Sequence, residues 1–136
     1  MELEFPIEFL VFGTPLSLQA SGKSKKVWKA NVKGASLEVI ETPHFASKNQ
    51  MSVTLFYFPR ADAEGDIDNI VKPILDALGK HIYIDDRQIE RVLAQRFDPD
   101  NIFAFNSPSA RLVEALVSAR PVLYVKISDK PFEELS

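Results

Sequence analysis

Residues 68–79, DNIVKPILDALG, decide how the rest of the chain is read. At 100° per residue, Ile70, Val71, Ile74, Leu75 and Leu78 fall on one side, while Asp68, Lys72 and Asp76 stack on the other. The pattern predicts a helix with one core face and one ionic face. Asp68 is suited to cap the free amides of the first turn, and Gly79 to the left-handed position after the last turn. Pro73 removes a backbone donor and crowds the carbonyl of Asn69, which predicts a kink or a loosened first turn that frees backbone near Asp68.

Working outward, residues 5–12 (FPIEFLVF) read as a strand closed by the turn residues Gly13, Thr14 and Pro15. Residues 25–40 read as a helix, with Val27, Trp28, Ala35, Leu37 and Val39 as candidate buried positions. Residues 51–58 (MSVTLFYF) alternate as a strand and Pro59 ends it; residues 81–84 predict a short strand, Asp85-Asp86 a turn, and residues 88–97 a strand burying Ile89, Val92 and Ala94. Residues 98–108 have loop composition. Ser107 followed by Pro108 predicts a cap and first position for a helix running to about 118, with Leu112, Val113, Leu116 and Val117 as its apolar side. Residues 121–128 (PVLYVKIS) give the last strand, and a frayed tail is expected after 130. The expected fold is α+β (mixed α/β): one domain over 1–136, with a small mixed sheet and two to three helices.

A chain of 136 residues, 46% apolar and 26% charged, suits one compact domain. The absence of cysteine excludes disulfides, thiolate metal sites and cysteine nucleophiles. No apolar run approaches the roughly 20 residues that cross a bilayer, and the start Met-Glu-Leu-Glu has the wrong charge for a signal peptide. A cytoplasmic protein without a membrane partner is expected. The net charge of −3 is unevenly placed. Residues 21–33 carry Lys23, Lys25, Lys26, Lys29 and Lys33 without an acid, whereas residues 62–90 carry eight acids against Lys72, Lys80 and Arg87. Either both are solvated faces, or a lysine patch meets a polyanion beside an acidic pocket that needs a divalent metal.

Four carboxylates gather around the 68–79 helix: Asp66 and Asp68 at its start, and Asp85 and Asp86 in the turn that follows it. If residues 81–84 return along the helix, the two pairs can converge. Such a cluster stays ionised only with a cation, and an all-oxygen donor set suits Mg²⁺, with Mn²⁺ as a substitute. The bland alternative is an N-cap, a loop residue and a polar turn. Lys72, one turn from both Asp68 and Asp76, points along the same face; beside a metal it can stabilise the charge of a phosphoryl-transfer transition state. Carboxylates, metal and lysine together predict phosphodiester hydrolysis.

The block 65–89, GDIDNIVKPILDALGKHIYIDDRQI, resembles the signature of the RusA family of Holliday-junction endonucleases: DxDN, a lysine four residues after the second Asp, an Asp-Ala-Leu helix end, and DD followed by Gln and an aliphatic. The resemblance implies that Asp66, Asp68 and Asp86 form an essential Mg²⁺ site, with Asp85 a further candidate ligand. It implies that Lys72 is essential, that Asp76 and Asp85 match further family acids, and that Asn69 holds the helix start. It also implies a homodimer whose two sites nick symmetry-related strands of a four-way junction in DNA recombination and repair, with relatives in prophages. Three departures stand out: an acidic net charge where a junction binder is expected to be basic, residues 98–120 where a simple hairpin is expected, and Pro73 directly after Lys72.

Residues 62–69 lack the glycine and the closing Glu of a calcium loop. Ser21-Gly22-Lys23-Ser24 lacks the earlier glycine of a phosphate loop, so no nucleotide cofactor is expected. His44 and His81 read as packing or surface residues, and Trp28 as core more than as a base-stacking platform. The rival to the endonuclease is a non-catalytic branched-DNA-binding or phage accessory protein of the same fold. Lys23, Lys25, Lys26, Lys29 and Lys33 are the candidate DNA contacts under either reading.

Overall fold

The structure is a computed structural model that describes residues 2–15, 21–60, 68–101 and 103–132, leaving the side chains of Asp68 and Asn69 undescribed. Four strands form one mixed sheet in the order β1-β4-β2-β3: β1 (Ile7–Phe12), β2 (Met51–Phe58), β3 (Ile89–Arg96) and β4 (Val122–Ser128). β4 runs antiparallel to both β1 and β2, whereas β2 and β3 are parallel. A parallel pair needs a crossover, and helix α2 (Asp68–Leu78) provides it. Helices α1 (Gly22–Leu37) and α3 (Ala110–Val117) complete the described elements, together with one 3-10 turn over Asp86–Gln88.

The central strands bury both faces, as their near-continuous apolar runs require. Val53, Leu55, Leu123, Val125 and Ile127 face α1 and α2, where they meet Trp28, Val32, Ile74, Leu78, Ile82 and Tyr83. Phe58, Val122 and Tyr124 face the other way, against Phe97, Leu112 and Ala115. Residues 98–120, the departure from a simple hairpin, therefore form a second layer on the face opposite α1 and α2. Phe97 lies within 4.7–5.3 Å, centroid to centroid, of Phe56, Phe58, Phe103 and Phe105. Arg120 closes this layer by donating to the carbonyls of Phe97 (2.6 Å) and Pro59 (3.0 Å). Among the described residues, no helix is long and apolar enough to cross a membrane.

Several local expectations are corrected. Residues 81–84 do not form a strand; they make a turn touching its neighbours through isolated bridges from Tyr83 to Ser47 and Gly79. Lys80, at φ 73°, takes the left-handed conformation expected of Gly79. Asp68 is the first helical residue of α2 rather than the residue before it, and α2 runs unbroken across Pro73. The α3 cap is Ser109, which accepts from the Leu112 amide, rather than Ser107. α1 begins three residues earlier than its lysine-rich pattern suggested, and it buries Trp28 and Val32 while Val27 stays exposed. Beyond it, Val39 is exposed as well. On α3, Leu112 and Ala115 are buried while Val113, Leu116 and Val117 are exposed. β3 is a sheet edge, so Val92 is exposed and Ile89 and Ala94 are only half-buried.

Candidate active site

The ionic face of α2 carries Lys72 and Asp76 one turn apart, and their ammonium and carboxylate meet at 2.8 Å. The Lys72 Nζ also donates to Asp86 Oδ2 at 2.9 Å, from fourteen positions earlier in the chain. Lys29 of α1 approaches the other oxygen of Asp76 at 3.7 Å. The result is an alternating row of charges, Lys29, Asp76, Lys72 and Asp86, along the seam between α1, α2 and the segment after α2. The hydrogen bonds that Lys72 donates to Asp76, first, and to Asp86, second, hold its ammonium above the ordinary lysine range.

Asp86 reaches Lys72 because residues 79–88 double back along α2, as the sequence suggested, although by a turn rather than a strand. The Ile82 amide donates to the Leu78 carbonyl at 3.1 Å, and the buried Tyr83 places its hydroxyl on the Leu75 carbonyl. Burial, together with the nearby Asp86 and Asp76 charges, raises the Tyr83 phenol above its usual range. Gln88 then fixes the far end: its carbonyl oxygen accepts from the amides of Ile84 (2.7 Å) and Asp85 (2.9 Å). Its amide nitrogen donates to the carbonyls of Ser47 (2.8 Å) and Asn49 (2.9 Å). The Asp85 carboxylate caps the Arg87 amide at 2.9 Å, inside the turn.

Two histidines brace the other side of the turn. His44 Nε2 donates to the His81 carbonyl at 2.7 Å, while His81 Nε2 lies 2.9 Å from Ser36 Oγ. The Ser36 hydroxyl also lies 2.7 Å from the Lys33 carbonyl, which accepts from it. Burial, with the Lys33 and His44 charges assisting, lowers His81 to about 4. These histidines are packing residues, as expected, and Trp28 lies in the core.

The structure thus brings together Lys72, Asp76 and Asp86 of the expected site residues, with Lys29 of the candidate DNA contacts beside them. Asp66 lies outside the described residues, and of Asp68 and Asn69 only their place at the start of α2 is described. Lys33 faces His81. Lys25, Lys29 and Lys33 recur every four residues along α1, and of these Lys29 meets Asp76 of α2, while Lys23 and Lys26 are exposed. Among the described residues, no three His, Asp or Glu side chains form a ready-made metal cage. The donors nonetheless fit a hard divalent cation in kind, being carboxylates, and the half-exposed Asp86 already holds one cationic group, the Lys72 ammonium. Gln88 and Tyr83 were not singled out from the sequence; the glutamine following the DD doublet was the one available signal.

No curated protein matches the chain significantly. A family profile described as endodeoxyribonuclease RusA does match, over residues 19–127, which spans all of α1, α2 and the turn carrying Asp86. This family acts on branched DNA junctions, and the chain belongs to it: the protein is a RusA-family endodeoxyribonuclease.

Proposed function

We propose that the protein is a Mg²⁺-dependent, structure-selective endonuclease that resolves four-way junctions by paired symmetric nicks, acting as a homodimer in the cytoplasm during DNA recombination and repair, in a prophage setting. The observation that carries this reading is the Lys72 ammonium lying 2.9 Å from Asp86, within the region matched by the family. That contact joins, from separate segments, a cation and a carboxylate of the kinds that phosphate and metal binding need.

In this reading Asp66, Asp68 and Asp86 hold the metal, with Asp85, whose Oδ1 accepts from the Arg87 amide, as a further candidate ligand. Mg²⁺, or Mn²⁺ in its place, supplies water activation and charge neutralisation at the phosphate. Lys72 binds a non-bridging oxygen of the scissile phosphate and offsets the charge that develops there. Asn69 secures the start of α2, and Asp76 orients Lys72 from one turn away. The lysines of α1 lead the DNA backbone to this seam, which reconciles an acidic protein with a polyanionic substrate: the positive charge is local.

The test is junction binding and junction cutting measured side by side in Asp66→Asn. Cutting lost with affinity retained supports a catalytic carboxylate. Equal loss of both makes Asp66 scaffold, and tight binding by the wild type with no cutting in Mg²⁺ or Mn²⁺ favours the non-catalytic junction binder.

A further inference from the structure

Among the described residues, Lys72 has two carboxylate partners of different kinds. Asp76 sits on the same helix, one turn on, so its 2.8 Å contact is set by α2 alone. Asp86 sits on the returning turn, and its 2.9 Å contact exists only while one carboxylate oxygen is turned toward α2. A divalent cation on the Asp86 carboxylate competes with that contact, because an ammonium a few ångströms from a doubly charged ion is strongly repelled. Asp76 has a second cation of its own, Lys29 at 3.7 Å, which anchors its other oxygen toward α1.

We propose that Asp76 is a positioning residue that retains Lys72 when Asp86 turns to the metal, so that metal entry and release of Lys72 from Asp86 are a single exchange. This rests on the metal reading above and adds a direction to it. In the metal-free protein Lys72 neutralises Asp86; in the loaded protein Lys72 stays on Asp76, poised over the α2 face where the phosphate arrives. Without Asp76, Asp86 is the remaining partner of Lys72 among the described residues, and the metal must displace an ammonium that Asp76 no longer receives.

The exchange is read from metal affinity, without DNA and without turnover. The full chain is titrated with Mn²⁺ and the free ion followed by electron paramagnetic resonance, for wild type, Asp76→Asn, Lys72→Met and the double variant. Both side chains are surface groups, and thermal melts establish that each variant is folded. Asp76 acts by holding a half-exposed ammonium away from Asp86, and an exposed ion pair of this kind corresponds to about 3- to 5-fold in affinity, which is the weakening expected for Asp76→Asn. In the Lys72→Met background the same substitution is expected to change affinity by less than about 2-fold, because the residue through which it acts is gone. Equal weakening in both backgrounds overturns the proposal and makes Asp76 merely a nearby negative charge. No effect of Asp76→Asn in either background overturns it as well. Absence of Mn²⁺ binding by the wild type overturns the metal reading itself, and the exchange falls with it.

Discussion

Lys72 presents three ammonium protons and places two of them on carboxylates from different segments, which makes it the point where α2 and the returning turn are joined. Its side chain is half exposed, so the pairs contribute little to stability and their value is positional. Lys72→Met is therefore expected to leave the melting temperature nearly unchanged while reducing junction cleavage by about 100-fold or more, as loss of a charge-stabilising donor does. A large fall in thermal stability would show that Lys72 is structural. His81 gives a pH prediction. Its folded value of about 4 lies below the usual 6.5, so the unfolded chain binds the proton first. The stability this neutral histidine secures is complete above about pH 6.5 and is lost as pH falls toward 4. Urea midpoints at pH 7.5 and pH 5 should differ more for wild type than for His81→Gln, and an identical drop in both would remove His81 as the cause.

At the scale of elements, the turn over residues 79–88 is held by side chains rather than by a ladder. Gln88 alone makes four hydrogen bonds to backbone groups. Gln88→Ala is expected to cost about 2 kcal/mol, since it leaves several backbone groups to find water. It should also lower cleavage through Asp86, although Gln88 contacts neither Lys72 nor Asp86 in the described hydrogen bonds; normal cleavage in that variant would separate the turn from the site. This segment also shows where the sequence was legible. The four-residue spacing of Asp68, Lys72 and Asp76 revealed an ionic helix face because helical period is a local property. The turn has no period, so His81 and Tyr83 read as part of a short strand and Gln88 as the start of the next one, and their anchoring partners at Ser36, Leu75 and Ser47 could not be located from the sequence. On α3 the apolar side was visible, but which half of it is buried depended on the sheet: Leu112 packs inward while Val117 faces solvent.

Across the whole molecule the two faces of the sheet divide the labour. α1, α2 and the returning turn build the candidate site on one face, whereas residues 98–120 complete an aromatic layer on the other. Phe97→Ala, which opens the centre of that layer, is expected to destabilise the protein by about 3–5 kcal/mol. Cleavage per folded molecule should be preserved below the melting transition; its loss there would tie residues 98–120 to the site. The Phe97 cluster was not foreseen, since four of its rings lie in β2 and in loop residues whose convergence is set by the long-range return of the chain. The overall class, a small mixed sheet with helices, was legible because each strand and helix carries its own pattern. The most direct measurement is cutting of an end-labelled four-way junction against linear duplex as Mg²⁺ is raised, with Asp86→Asn alongside. Paired symmetric nicks in the junction alone, dependent on Mg²⁺ and lost in Asp86→Asn, are the predicted result. Equal cutting by wild type and Asp86→Asn, or none by the wild type at any Mg²⁺ or Mn²⁺ concentration, would contradict it.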